Sequence, residues 1–386
     1  MTEIGDVSAE ERAVLVEQLV RELDDDLVFA LSLGSKELFH TNLLGWFAQH
    51  QPSVGAALLR EWDPHAEPAL LRARREWRHL DLVLEEVAAD GTPGQARVVV
   101  ENKMFALPDL DQLRDYGRVI NTDLKGAPSL VLLSLADPGW PTSRWDDGAG
   151  NVWRHVTYTS LAEVLAAVAH PQDTDYFPLA TLTGWMTTVD RLGRLSELVC
   201  QPGPAEPVLL PQELSSRLAE IRLDAPVQKL RAHHVATELR RLLGDPLPED
   251  VSVSASLTNG LGLVEAFVRV GDNIEAGWQL QGTQWRMAVR VGKDHPLYGR
   301  GDKDDPRARL ADQSGWMTFR DGPFEGLPAR PVPRVGTPDV CKFSPNFVYR
   351  YVHVPDITIG TAVSVGLDVV LRALSERGEP RWRSPR

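Results

Sequence analysis

The sequence predicts an α/β domain built on a mixed sheet in an αβββαβ order, followed by a C-terminal α+β domain. Three observations carry that expectation. Residues 69–87, "ALLRARREWRHLDLVLEEV", alternate with a period of two, Leu80, Leu82 and Leu84 on one face and Asp81, Val83 and Glu85 on the other. The turn cluster "AADGTPGQ" then sends the run from Arg97 to Lys103 back antiparallel to the strand before it. After an intervening helical stretch, "SLVLLSL" (129–135) is apolar throughout, the pattern of a strand covered on both faces, as in parallel sheets.

The remaining elements follow in chain order. Residues 8–31 read as helical, with Val14, Leu15, Leu19, Val20 and Leu23 at helical spacing. A second helix begins after Gly34-Ser35, carries an apolar stripe of Leu38, Phe39, Leu43, Trp46 and Phe47, and closes at Pro52. Strands are expected over 69–77 and 79–87, with no strong turn signal between them. The helix "DLDQLRDYGRVINTD" (109–123) turns Leu110, Leu113, Gly117 and Ile120 inward, and "YTSLAEVLAAVAH" (158–170) forms another helix capped by Thr159 or Ser160. Four prolines within 201–212 mark a break, read as a linker between a domain at 1–200 and one at 213–386. Beyond it, 212–244 is helical, 250–292 reads as a hairpin, 347–354 as a strand and 360–378 as a helix.

Composition narrows the functional classes. No apolar run reaches the roughly 18 residues that span a bilayer, and "MTEIGDVSAEERAVL" lacks a signal-peptide pattern. Only two cysteines occur, Cys200 and Cys341, with no CxxC, which fits a reducing cytoplasmic setting and excludes a zinc ribbon or a disulfide framework. The net charge of −13 is unevenly placed: residues 1–200 hold 17 Lys+Arg against 31 Asp+Glu, and residues 201–386 hold 24 against 23. The acidity therefore lies in the first half, where "RELDDDLV" reads as a solvated helix face. This argues against a protein that coats DNA through a basic stripe, but not against an enzyme with a local groove.

The chemistry concentrates at "VVVENK" (98–103). Glu101 and Lys103 are two apart on a strand and share a face, with Asn102 pointing opposite. If "LDLVL" pairs with this strand, Asp81 lies across from Glu101. Two converging carboxylates at a strand end suit a hard divalent cation such as Mg²⁺ or Mn²⁺, with the backbone carbonyl of Asn102 as a further oxygen. Lys103 beside them can orient or deprotonate an attacking water and steady the charge building on a phosphate.

An Asp about twenty residues before Glu-x-Lys, on adjacent strands, resembles the PD-(D/E)XK nuclease superfamily, and the αβββαβ order is similar to that family's restriction-endonuclease-like core. The resemblance covers about residues 35–165. It implies Asp81, Glu101 and Lys103 as the catalytic set, Glu37 of "SKELFHTN" as an auxiliary metal-binding acid, and Gln112 and Tyr116 of "QLRDY" touching substrate or bracing Lys103. "HLD" stands where the family's Pro-Asp would be, so that proline is absent. "SKELFHTNLLGWF" and "VTYTSLAEVL" also look like a bacterial branch associated with phage defence or restriction. The implied activity is metal-dependent phosphodiester hydrolysis, on DNA ahead of RNA; the acidic first half implies that a partner subunit, the C-terminal domain or homo-oligomerisation supplies part of the grip.

Each residue has a structural alternative. Glu-x-Lys can be an exposed ion pair of under about 1 kcal/mol, Asp109 with Gln112 resembles a capping box after Pro108, and Glu37 gains from the dipole of its own helix. His40 reads as structural, and the adjacent His233 and His234 face different ways. Trp278, Trp285 and Trp316 read as core. Arg300, Lys303, Arg307 and Arg309 lie in a solvated loop that can meet phosphates. The rival to the enzyme is a catalytically silent module of the same fold that binds nucleic acid or a protein partner.

Overall fold

The computed structural model describes residues 8–32, 37–63, 69–88, 90–106, 110–140, 142–168, 176–244, 246–295, 298, 314–319, 324–330, 340–343 and 346–382. Gly34-Ser35, Pro108, Asp109 and the loop basic residues Arg300, Lys303, Arg307 and Arg309 lie outside the described residues. The chain forms two units, Met1–Gln201 with Gln212–Val227, and Pro202–Pro211 with Gln228–Arg386.

In the first unit the helices are α1 (Ala9–Asp24), α2 (Leu27–Leu31), α3 (Glu37–His50), α4 (Pro52–Trp62), α5 (Leu110–Asp123), α6 (Tyr158–Ala166), α7 (Tyr176–Val199) and α8 (Gln212–Glu220). The strands are β1 (Leu71–Trp77), β2 (Leu80–Val87), β3 (Pro93–Lys103), β4 (Ser129–Ser134), β5 (Arg144–Asp146) and β6 (Val152–Thr157), in the sheet order β1-β2-β3-β4-β6-β5. The β1–β2, β2–β3 and β5–β6 pairs are antiparallel, while β3–β4 and β4–β6 are parallel. The sheet is therefore mixed, as the sequence predicts, and the apolar β4 lies inside it between two parallel neighbours. Val83 and Val99 meet Leu113, Tyr116 and Ile120 of α5 on one face. On the other, Leu82 packs under α3, where a Cβ at Gly45 would stand 3.1 Å from Leu82 Cδ1.

Several local expectations are corrected. The stretch read as one helix over 8–31 is α1 and α2, because Asp26 caps a new turn through Val28 N and Phe29 N. Its inward stripe is Val16, Leu19, Val20 and Leu23, while Val14 and Leu15 are exposed. Asp26 is not a solvated member of the acidic block: its carboxylate accepts from Thr188 Oγ1 and Arg191 Nη1 of α7. In α3 the buried face is His40, Thr41, Leu44, Gly45, Phe47 and Ala48, with Leu38 and Trp46 exposed. Small and polar residues occupy that face because the helix comes close to the sheet and hydrogen-bonds to it. Pro52 does not merely end α3; it starts α4 at a first-turn position, where its missing N–H costs nothing. The cap of α6 is Thr157, two residues before Thr159 and three before Ser160, the two expected caps. The β1–β2 loop is only Arg78-His79, both in the left-handed region with φ of 49° and 72°. No glycine or asparagine announces that turn.

In the second unit α9 (Asp224–Leu243), which begins in the first, and α10 (Ile359–Ser375) cover a six-stranded antiparallel sheet. Its strands are β7 (Val251–Thr258), β8 (Leu261–Gly271), β9 (Ile274–Gln281), β10 (Gln284–Val291), β11 (Cys341–Phe343) and β12 (Phe347–His353), in the order β11-β12-β10-β9-β8-β7. The expected single hairpin over 250–292 is thus four strands: Asn259-Gly260 and Gly282, at positive φ, turn the chain inside each presumed arm. The helix read over 212–244 is broken at Arg222, where φ is 62°.

Residues 202–211 are not a free linker. Val208 N donates to Ile357 O at 2.9 Å, Ile359 N to Glu206 O at 2.8 Å, and Arg231 Nε to Val208 O at 2.9 Å. Proline forbids helix there, yet the extended backbone keeps its carbonyls and the intervening N–H groups for pairing. Trp278, Trp285 and Trp316 are fully buried, so they are core as expected. Trp278 and Trp285 stack at 4.4 Å between centroids, and Trp278 Nε1 donates to Gly366 O of α10 at 3.0 Å.

Among the described residues no helix is long and apolar enough to cross a membrane. A Cβ at Gly366 would lie 2.3 Å from Trp278 Cζ2, with no room for the indole to retreat. Gly366→Ala is expected to destabilise the protein by about 1–3 kcal/mol through overpacking, read as a lowered urea midpoint; an unchanged midpoint would contradict the close helix–sheet approach.

Candidate functional site

The end of β3 is fixed from three sides. The β2–β3 register pairs Leu82 with Val100, and one further step brings Asp81 opposite Glu101. Asp81 Oδ2 accepts the backbone N–H of Asn102 at 2.7 Å, which joins the two strand ends. On its other edge β3 runs parallel to β4 as far as Lys103, paired with Ser134. Asp81, Glu101 and Lys103 share the parity of Val83 and Val99, so they lie on the sheet face that α5 covers.

Glu101 is 1% exposed. Its Oε1 lies 2.8 Å from Lys103 Nζ, and its Oε2 has no hydrogen-bond partner. Lys103 Nζ is also 3.9 Å from Glu37 Oε2, while Glu37 Oε1 accepts the N–H of Met104 at 3.1 Å. The lysine thus stands between two carboxylates, one from the sheet and one from the first turn of α3. Asn102 does point to the opposite face. Its Nδ2 donates to Thr41 Oγ1 at 2.8 Å and Glu37 O at 3.1 Å, and its Oδ1 accepts the Tyr158 hydroxyl. This network was not foreseen in the sequence. The only signal for it is a carboxamide ending a run of valines, in a strand whose two faces are both buried.

Burial dominates the electrostatics. It pushes the Asp81 carboxyl up to about 6, against the pull of the Asn102 N–H and Lys103, with Glu76 and Glu37 adding to the rise. Glu101 is pushed up to about 8, first by burial and then by Asp81. For Lys103, burial alone would lower the ammonium's pKa, but Glu101, Glu37 and Asp81 together raise it above its ordinary value. Lys103 is therefore held as a cation.

The other sequence candidates fall into two groups. Gln112 Nε2 donates to the Tyr116 hydroxyl at 2.6 Å on α5. Tyr116 is raised by burial and by the Glu101 charge, which places its phenol within electrostatic reach of the site. Glu37 reaches Lys103 but is not grouped with Asp81 and Glu101; among the described residues no three His, Cys, Asp or Glu side chains are arranged to hold a metal ion. A cation would rest on Asp81 and Glu101 as a pair. The unpartnered Glu101 Oε2 and the upward shift of both acids fit such an ion, since each marks negative charge that the protein itself leaves uncompensated. His40 belongs to the packing, as expected: it is 1% exposed, burial lowers it to about 4, and Nδ1 accepts from Trp185 Nε1 at 3.0 Å.

Comparison with known proteins gives no match to this chain among protein-family models, curated proteins or solved structures.

The pH dependence of folding tests this electrostatic picture. Both acids titrate higher in the folded chain than the roughly 3.9 and 4.3 of free Asp and Glu, so the folded state binds more protons. The contribution of these two acids to the stability of the metal-free protein then falls as pH rises from about 4 through about 6 and about 8, while the buried His40 and His233, lowered to about 4, oppose it below about 6.5. Denaturant melts of Glu101→Gln should lie within about 1 kcal/mol of wild type at pH 5 and lose much of the decline toward pH 8.5. A Glu101→Gln variant whose stability follows the same pH dependence as wild type would refute the assignment.

Proposed function

We propose that the first unit is a metal-dependent nuclease of the PD-(D/E)XK type, hydrolysing phosphodiester bonds. The observation that carries this reading is the β2–β3 register that sets Asp81 opposite Glu101, with Lys103 at 2.8 Å from Glu101. The mixed sheet, entered from α3 and continued through β1, β2, β3, α5 and β4, supports a restriction-endonuclease-like core.

In this reading Asp81 and Glu101 hold Mg²⁺ or Mn²⁺, which supplies Lewis-acid polarisation of the phosphate and neutralises its charge. Glu37 acts at one remove, by setting Lys103 and by clamping Met104 N at the strand end. Lys103 retains its proton, so it steadies charge on the scissile phosphate and orients water instead of serving as the base. Gln112 fixes the Tyr116 hydroxyl, which offers a donor toward the substrate. DNA is the preferred substrate and phage defence or restriction the preferred setting, in the cytoplasm, both from the family resemblance; a second copy or a partner subunit completes the grip on an acidic unit.

One observation favours the alternative of a silent module that binds nucleic acid or protein. Lys103 already pairs with Glu101, and the carboxylates form no group of three.

The deciding experiment measures cleavage of supercoiled, linear and single-stranded substrates with Mg²⁺ or Mn²⁺. Asp81→Asn, Glu101→Ala and Lys103→Ala are each expected to lower the rate by at least about 10²-fold. Equal activity in variants and wild type would refute the site. Binding without cleavage by the wild type would establish the module.

A further inference from the structure

The second unit's sheet has one face covered by α9 and α10 and a second face of different chemistry. The registers lay that second face out as a grid. Along β12 it carries Phe347, buried against Phe267 and Ala288, then half-buried Tyr349 and Tyr351 and exposed His353, with Val348 and Val352 directed into the core. Across β10 these residues meet Arg290, Ala288, Arg286 and Gln284. Across β9 follow Glu275, Gly277, Gln279 and Gln281. The four rings of β12 make a continuous row, with centroids 5.5, 6.3 and 5.3 Å apart.

The two arginines differ in their counter-charges. Arg290 is neutralised: it pairs with Glu275 and lies 3.7 Å from Glu265, the acids on this part of the face. Among the described residues Arg286 has no carboxylate partner. Its Nε and Nη2 reach Gln284 Oε1 at 3.1 and 2.7 Å, its Nη1 reaches Gln279 Oε1 at 3.3 Å, and its guanidinium lies 4.9 Å from the centre of the Tyr349 ring. Two glutamines and a tyrosine therefore hold a half-buried cation in one orientation while leaving it N–H groups to spare. A guanidinium fixed in this way is prepared for a planar or tetrahedral anion.

We infer that this face is a binding platform for single-stranded nucleic acid, with Arg286 taking a phosphate and Tyr351 stacking on an adjacent base. An acidic peptide would satisfy Arg286 but leave the aromatic row unused. A single strand uses both, because bases stack on successive rings while the backbone follows the charge. Half-buried Tyr351 is presented rigidly: its backbone pairs with Arg286 of β10 on one side and exchanges hydrogen bonds with Arg330 at 2.8 and 2.9 Å on the other. The Nε2 of Gln284, whose Oε1 holds Arg286, supplies a donor beside the rings for a base edge. This platform belongs to the second unit and needs neither a metal nor cleavage.

The test is performed on the full chain in EDTA, so that nuclease chemistry plays no part. Fluorescence anisotropy with labelled oligothymidylate and oligouridylate should show binding that weakens about tenfold in Tyr351→Ala and in Arg286→Gln, while Tyr351→Phe stays within about twofold. Arg286→Gln should also reduce the slope of log affinity against log salt by about one. Photocross-linking of a 5-iodouridine oligonucleotide to the wild type should map to residues 347–353, which keeps the proposal testable even if a variant folds poorly. Unchanged affinity in both variants, cross-links confined elsewhere, no binding, or equal displacement by polyglutamate would each overturn it. Binding here with no cleavage in Mg²⁺ would defeat the nuclease reading alone.

Discussion

The hydrogen bonds of Asn102 join elements that apolar contact alone would leave free to slide. Its side chain ties the end of β3 to Thr41 and the Glu37 carbonyl of α3 and to Tyr158 of α6, and its backbone N–H donates to Asp81 of β2. The surrounding valines and leucines supply most of the burial energy, at roughly 1.5–3 kcal/mol per fully buried side chain. Such contacts are non-directional, however, and tolerate small shifts. A buried carboxamide does not, because each lost partner leaves an unsatisfied group costing about 1–3 kcal/mol. The network thereby fixes the height at which α3 meets the sheet, and with it the reach of Glu37 to Lys103.

The opposite face inherits that precision and turns it into electrostatic tension. Three acids, Asp81, Glu101 and Glu37, surround one base. A surface cluster of this kind would be relaxed by water. Here Glu101 is sealed and one of its oxygens has no hydrogen-bond partner, so the site carries more negative charge than Lys103 neutralises. The strand end is thus stable as a fold element but uncompensated as a charge distribution. An exposed ion pair on the surface does not show that combination.

How much of this the sequence displayed depends on whether the controlling contact is local. The period-two alternation of 80–85 and the uniform apolarity of β4 announced their strands, because side-chain periodicity follows directly from backbone geometry. The shared face of Glu101 and Lys103 was legible for the same reason, as was the opposite direction of Asn102. The pairing of Asp81 with Glu101 could be expected from the turn at 88–95, although a bulge between Leu84 and Val87 alters the register further along. What the sequence concealed were contacts set by distant residues: the polar inner face of α3, the Asp26–Arg191 pair between helices, and the docking of 202–211 onto Ile357 and Ile359. The tight turn at Arg78-His79 was hidden differently, since its left-handed residues are not the glycine or asparagine that usually occupy such positions.

The division of charge along the chain acquires a physical meaning from these placements. An acidic unit whose candidate site concentrates further carboxylates gains little from long-range attraction to a polyanion. The second half is nearly neutral, with 24 basic against 23 acidic residues, so it too lacks a general positive field. What it offers instead is local: one arginine stripped of a counter-ion and seated among aromatic rings, beside a second arginine that its neighbours have already neutralised. A chain arranged like this does not gather nucleic acid by bulk charge. On the proposed reading, recognition comes from desolvated, fixed contacts, which favour unpaired bases, whose faces are open to stacking, over the continuous phosphate surface of a duplex.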